Sequence, residues 1–189
     1  MVPNVDFIVT KSLSLFKEFV TDIRISSKKV LHKPLLSLFV GVGFFDGSSK
    51  EGRCGSGMAM KLNEHIFNIW MGGDKGSNTR DELLGLWGIL FFAKNCGIDS
   101  LIIFGDSKDV IEWVKGPFNL EVINLKIWCK RIKVLEKYFF NLFFMRISRE
   151  YNSEADNLLK MATSYVFGKI FFQEVIEGMI SVEDLIIID

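Results

Sequence analysis

Histidine is almost missing from this chain: His32 and His65 are the only two among 189 residues. Cysteine is nearly as scarce, at three (Cys54, Cys96 and Cys129), an odd count with no Cys-x-x-Cys spacing. So few soft ligands, none clustered, argue against a zinc site. The odd count argues against a disulfide framework and for free buried thiols in a reducing, intracellular compartment. Any divalent cation must then be held by carboxylates, which suits magnesium or manganese. Neither sign of charge is in excess: 23 Lys and Arg balance 23 Asp and Glu. That argues against a general nucleic-acid coating protein, which is normally basic, but leaves room for one local basic face. Long apolar runs are also lacking. Stretches such as LWGILFFA (86–93) fall well short of a bilayer, so no membrane span is expected. Asp6 and Lys11 interrupt the first apolar stretch and no small-residue cleavage site follows, so no signal peptide is expected either.

What the chain does have is apolar bulk. Its hydrophobic fraction is 49%, with 18 phenylalanines, and its mean hydropathy is +0.25, which together predict a dense, largely aromatic interior. The length suits one domain with flanks. Residues 1–36 read as a flank, with helical periodicity in SLSLFKEFVTDI and a basic connector, RISSKKVLHKP. From Ser37 the runs SLFVGVGFFD, GSGMAMKL and HIFNIWMG, separated by GSSKEGRCG and NE, predict an antiparallel meander. A helix follows, with Asn78 or Thr79 as N-cap, Asp81 and Glu82 in its first turn and Gly97 as a left-handed C-cap. LIIFGD (101–106) predicts a central strand covered on both faces, and SKDVIEWVKG a short helix ending before Pro117.

Between Leu120 and Phe140 the pattern predicts a longer helix with two stripes. Trp128, Ile132, Leu135 and Phe139 lie on one side, and Lys126, Lys130, Lys133 and Lys137 on roughly the other. NLFFMRIS (141–148) predicts the last strand, REYNS a loop and EADNLLKMATSYV a closing helix. Residues 167–189 are expected to be a C-terminal extension, a further helix with an apolar end, LIII. The order β-β-β-α-β-α-α-β-α defines an α/β domain over 37–166 with a mixed five-stranded sheet and helices packed on it.

Four carboxylates occupy similar places in this scheme. Asp46 and Asp106 close strands, Glu82 lies in a first helical turn, and Asp156 opens the final helix. Each has an ordinary role available: an Asx-turn for Asp46, dipole complementation for Glu82, a cap for Asp106, first-turn charge for Asp156. Jointly they mean more. Two strand-end aspartates at one sheet edge repel and raise each other's pKa, and a divalent cation removes that cost.

The ordered motifs F-D-G-S, N-T-R-D-E-L, I-I-F-G-D-S and R-E-Y-N-S-E-A-D-N-L-L resemble the ribonuclease H family, in particular the reverse-transcriptase-like domains of plant retroelements. The resemblance spans about residues 37–165. It implies a retroelement-derived endonuclease that hydrolyses the RNA strand of RNA–DNA hybrids. Two magnesium ions, with manganese an option, would be held by Asp46, Glu82, Asp106 and Asp156, Asp46 bridging the pair. No small-molecule cofactor and a monomeric state are expected. The resemblance also suggests hybrid contacts at Asn78, Thr79 and Arg149 and along the four lysines. An ordinary solvated helix face explains the lysines equally well. The sequence departs from the family in three places. REYNS lacks the histidine many catalytic relatives carry, with Arg149 the nearest basic residue; the turn after Asp46 reads SSKEGRCGSG; and a charged Asp81 precedes Glu82, either competing for metal or facing solvent. A catalytically weak or inactive module that binds nucleic acid or a protein is the alternative.

Overall fold

The computed structural model describes residues 40–188 apart from 51–52, 117–122 and 166. The flank expected over 1–36 lies outside the described residues. Strands β1 (Gly41–Lys50), β2 (Arg53–Leu62) and β3 (His65–Gly72) form the expected meander. Helix α1 (Asn78–Asn95), strand β4 (Ser100–Gly105), helices α2 (Lys108–Lys115) and α3 (Ile123–Glu136), strand β5 (Asn141–Arg146) and helix α4 (Ser153–Ala162) follow in the predicted order. β4 and β5 run parallel to β1, and Phe45 sits opposite Gly105.

The sheet is larger than expected. Its order is β5-β4-β1-β2-β3-β6-β7, seven strands instead of five. The additional pair, β6 (Lys169–Ile176) and β7 (Met179–Ile187), replaces the helix expected in the C-terminal extension. KIFFQEVI is rich in aromatic and β-branched residues, and it alternates faces. Ile170 and Phe172 pack into the larger core, while Phe171 stacks on Trp70 across the sheet, ring centroids 6.2 Å apart. A two-residue turn, Glu177-Gly178 with φ of 49° and 80°, joins the two strands, as a tight hairpin requires.

Helices α1, α2 and α3 cover one face and α4 the other, so the sheet is the middle of three layers. The interior is aromatic, as the composition predicts: Phe67 and Phe172 both pack on Phe92, and Trp87 meets Trp128 edge-on. Two helix boundaries differ from the sequence reading. The N-cap of α1 is Ser77, whose Oγ accepts from the Arg80 amide, because Asn78 has turned to another partner. α3, described over Ile123–Glu136, ends short of the expected Phe140, while the start expected at Leu120 lies outside the described residues; Gly97 takes the left-handed conformation (φ 72°) as expected. The three cysteines are free, but only Cys54 is buried; Cys96 is exposed. Among the described residues no helix is long and apolar enough to cross a membrane.

Candidate metal centre

Asp46 lies where three elements converge, and two glycines make the convergence possible. A Cβ at Gly47 would stand 2.1 Å from the Asp81 carbonyl carbon and 2.2 Å from the Glu82 nitrogen. The first turn of α1 therefore rests directly on the backbone of β1, placing Glu82 beside Asp46. Ser56 on β2 fixes that turn by donating its hydroxyl to the Asp81 carbonyl at 2.6 Å. Gly57, the cross-strand neighbour of Asp46, does the same on the opposite face: its Cβ would meet Ala155 O and Leu159 N at 2.2 Å. Here α4 lies against the sheet. The buried Asn152 side chain ties the start of α4 to β1 by donating to the Phe45 carbonyl at 2.8 Å. The register of β1 on β4 then brings Asp46 and Asp106 side by side as the next residues beyond Phe45 and Gly105.

One ligand oxygen from each of Asp46, Glu82 and Asp106 lies within 4.8 Å of the others. Asp46 and Glu82 are buried and Asp106 is half-buried. Asp46 Oδ1 accepts from the Gly47 amide at 2.8 Å. Asp46 Oδ2, Glu82 Oε2 and Asp106 Oδ1 are buried without a hydrogen-bond partner. Such orphaned oxygens are costly unless a cation meets them. Burial, then the neighbouring Asp106, raises the Asp46 pKa from 3.8 to about 6, against the opposing pull of the Gly47 amide. Burial, then Asp46 and Asp106, pushes Glu82 well above 4.5. Three oxygen donors, crowded and unpaired, fit a hard divalent ion.

Residues 44–162 match the model of the reverse transcriptase-like family, well over half of the chain. The chain belongs to the reverse transcriptase-like family. Its fold is that of ribonuclease H. Solved neighbours include the RNase H1 of the halophilic archaeon Halobacterium salinarum NRC-1 (22% identity, TM-score 0.59, covering 66% of this chain and 98% of that one). The N-terminal RNase H domain of rv2228c from Mycobacterium tuberculosis, solved as a fusion with maltose binding protein, matches at 22% identity and TM-score 0.61, covering 67% and 94%. LC11-RNase H1, solved in complex with an RNA/DNA hybrid, matches at 18% and 0.56, covering 66% and 96%. No curated protein matches the sequence.

The fourth acid of this reverse transcriptase-like domain stands apart from the other three. Asp156 is not in the close group; its Oδ2 pairs with Lys160 Nζ at 2.7 Å and its Oδ1 with Arg149 Nη2 at 3.6 Å. Those cations, Lys160 first, hold its pKa below 3.8, opposite in direction to Asp46 and Glu82. Asp81 is neither a competing ligand nor solvent-facing. It is fully buried, with Oδ1 beside Gly73 and Cys54, and burial lifts its pKa to about 7.

The expected hybrid-contact residues are scattered. Asn78 Oδ1 accepts from the Ser49 amide at 2.8 Å, joining the α1 entry to the end of β1; Thr79 is half-buried beside it. Lys126, Lys130, Lys133 and Lys137 are all exposed. Lys133 is nonetheless engaged, donating to the Val114 carbonyl at 3.2 Å and pairing with Glu136. Arg149 is exposed at the foot of α4.

Sequence reasoning missed Asn152, Lys160 and the burial of Asp81. The i,i+4 spacing of Asp156 and Lys160 on a predicted helix was a readable signal. Nothing in the sequence distinguishes the buried Asn152 amide from an ordinary loop asparagine.

Proposed function

We propose that this domain is a metal-dependent endonuclease cutting the RNA strand of RNA–DNA hybrids. The observation that carries the reading is the crowding of the Asp46, Glu82 and Asp106 oxygens at one end of the β1–β4 pair, buried and unpaired. The family and the neighbour solved with an RNA/DNA hybrid supply the substrate class. Asp46, Glu82 and Asp106 would hold a first magnesium or manganese ion, and Asp46 with Asp156 a second. The ions, when bound, supply Lewis-acid activation of a water and stabilisation of the leaving 3′ oxygen.

The chain's own residues do the rest. The Gly47 amide holds Asp46 Oδ1 and leaves Oδ2 free to ligate. Glu82, on a turn clamped through Gly47 and Ser56, keeps its carboxylate within reach of Asp46 and would sense a ribose 2′-hydroxyl. Arg149, whose charge acts on Asp46, Glu82 and Asp156, would meet the phosphate of the cut bond. Asn78 and Thr79 would contact the hybrid backbone, and Lys126, Lys130 and Lys137 would grip it further along. Lys133, already engaged, would add little.

The test is cleavage of a hybrid labelled on its RNA strand, with magnesium and with EDTA. Wild type is expected to cut the hybrid and spare duplex DNA, and Asp46→Asn to lose at least a hundred-fold, roughly the scale expected when a metal ligand is removed. One observation favours a second reading, a hybrid-binding module without turnover: Asp156 is already neutralised by Lys160 and Arg149. Retention of the hybrid with no cleavage by wild type would establish that reading and overturn the first.

A further inference from the structure

Asp156 is treated differently from its three companions. Asp46, Glu82 and Asp106 each keep a buried oxygen with no hydrogen-bond partner, and no ion pair among the described residues reaches any of them. Asp156 has no orphaned oxygen. Lys160 Nζ covers Oδ2 at 2.7 Å and Arg149 Nη2 approaches Oδ1 at 3.6 Å. The two cations differ. Arg149 is the more distant, and its charge also acts on Asp46 and Glu82, so it serves the whole cluster. Lys160 lies one turn along α4, at the tight pairing distance, with its side chain 68% exposed against 24% for Asp156. An exposed ammonium on a flexible stem can leave for solvent. A resting place is at hand, since Asn157 Oδ1 accepts from the same Nζ at 3.3 Å.

We propose that Lys160 is a built-in competitor for the second divalent ion, its ammonium occupying the Asp156 carboxylate and yielding only when an ion takes that place. The inference rests on the metal-dependent reading above. It makes the two ion sites unequal by construction. The first ion meets three carboxylates that no internal cation holds. The second must displace Lys160, so the sites fill in order. Lys160 is a positioning residue: it acts through Asp156 and touches no reacting atom. The pair is partly solvent-exposed, so its strength is modest, and its removal is expected to tighten the second site by about two- to five-fold.

The experiment measures manganese binding to the full chain without nucleic acid, at pH 7.5, by the loss of free-ion paramagnetic resonance and by calorimetry. Wild type is expected to bind one ion firmly and a second weakly. Lys160→Met and Lys160→Gln should strengthen the second site by that factor and leave the first unchanged. Lys160→Arg, which keeps the charge, should stay near wild type, and Asp156→Asn should abolish the second site alone. Lys160→Gln guards against a fold lost in Lys160→Met. A second site unchanged or weakened in both neutral variants would overturn the competition. So would a single bound ion in wild type and variants alike. Absence of any bound ion in wild type would overturn the metal-dependent reading itself, a result distinct from the other two.

Discussion

Replacing Asp81 by Asn gives a sharp stability test, because it removes a charge and almost nothing else. Asp81 is fully buried, and among the described residues its carboxyl meets no nitrogen or oxygen donor, only the weak donor of the Cys54 thiol. Burial raises its pKa from 3.8 to about 7, opposed only in part by the Arg80 charge and the Cys54 thiol. The sign follows from proton counting. Between those two values the unfolded chain has lost the Asp81 proton and the folded chain keeps it, so stability falls as pH rises. Below about pH 4 both states are protonated and there is no penalty. Above about pH 7 both are ionised and the penalty is complete. At about 1.4 kcal/mol per pH unit the whole rise amounts to roughly 4 kcal/mol, an upper figure for a buried carboxyl that the fold relaxes around. Asn has the same shape and stays neutral. Urea denaturation in EDTA at pH 5 and pH 8.5 should therefore show Asp81→Asn more stable than wild type at both, with the gap wider at pH 8.5 by about 2–3 kcal/mol. Asp46 titrates in the same sense in both proteins and cancels in the comparison, and Glu82 differs only through the Asp81 charge, the smallest of its causes. A gap that stays constant between the two pH values would refute the reasoning, since it would mean that Asp81 ionises as freely folded as unfolded.

Three further outcomes follow from the same geometry. Gly47→Ala drives a Cβ to within 2.1–2.3 Å of the α1 backbone, so thermal unfolding should show a loss of about 2–4 kcal/mol, with manganese affinity weakened as Glu82 is displaced. Asn152→Ala strips the donor from the Phe45 carbonyl and should cost about 1–3 kcal/mol in urea titrations, with the CD spectrum otherwise preserved. Manganese affinity at the first site should fall at least tenfold per pH unit below about pH 6, because Asp46 must shed its proton to ligate; calorimetry in buffers of different ionisation heat should detect that proton.

Much of this fold is written in local pattern. The meander could be read from alternating runs and glycine turns, and α1 from its cap region, acidic first turn and left-handed Gly97. The buried β4 could be read from LIIFGD. Three of the four acids come together as their strand-end and first-turn positions suggest. The rest depends on contacts the sequence does not display. The β6–β7 hairpin was misread because FFQEVI satisfies helical and strand periods about equally over so short a run; the free edge of β3, with Phe67 and Trp70 needing cover, decides for strand. The sequence offers Asp81 as a competing metal ligand or a solvent-facing charge, because its neighbours Arg80 and Glu82 are polar. Its carboxyl packs beside Gly73, just across the loop before α1, and Cys54 on β2, which is distant along the chain. Ser77 displaced Asn78 as cap only because Asn78 found the Ser49 amide, a partner 29 residues away.

The distribution of rigidity across the site explains why three acids are crowded and one is not. Asp46 and Asp106 end strands that are paired in register, and Glu82 sits on a turn pressed onto Gly47 and held by Ser56. Glu82 cannot retreat without breaking the packing of α1 on the sheet, where Leu83, Leu86 and Ile89 are fully buried, and Asp46 is buried beside it. Their repulsion is therefore offset by the core, and it is released when a cation arrives. Asp156 is held less directly. Its helix is seated as closely as α1, with Gly57 beneath Ala155 and Leu159 and the Asn152 bond to Phe45, but Asp156 itself lies in the first turn, partly exposed beside Lys160 and Arg149. A carboxylate placed there lies within reach of exposed cations, and it pairs with Lys160. Crowding that cannot relax would make a strong first site; an acid already paired with an exposed ammonium would make a weaker and exchangeable second one.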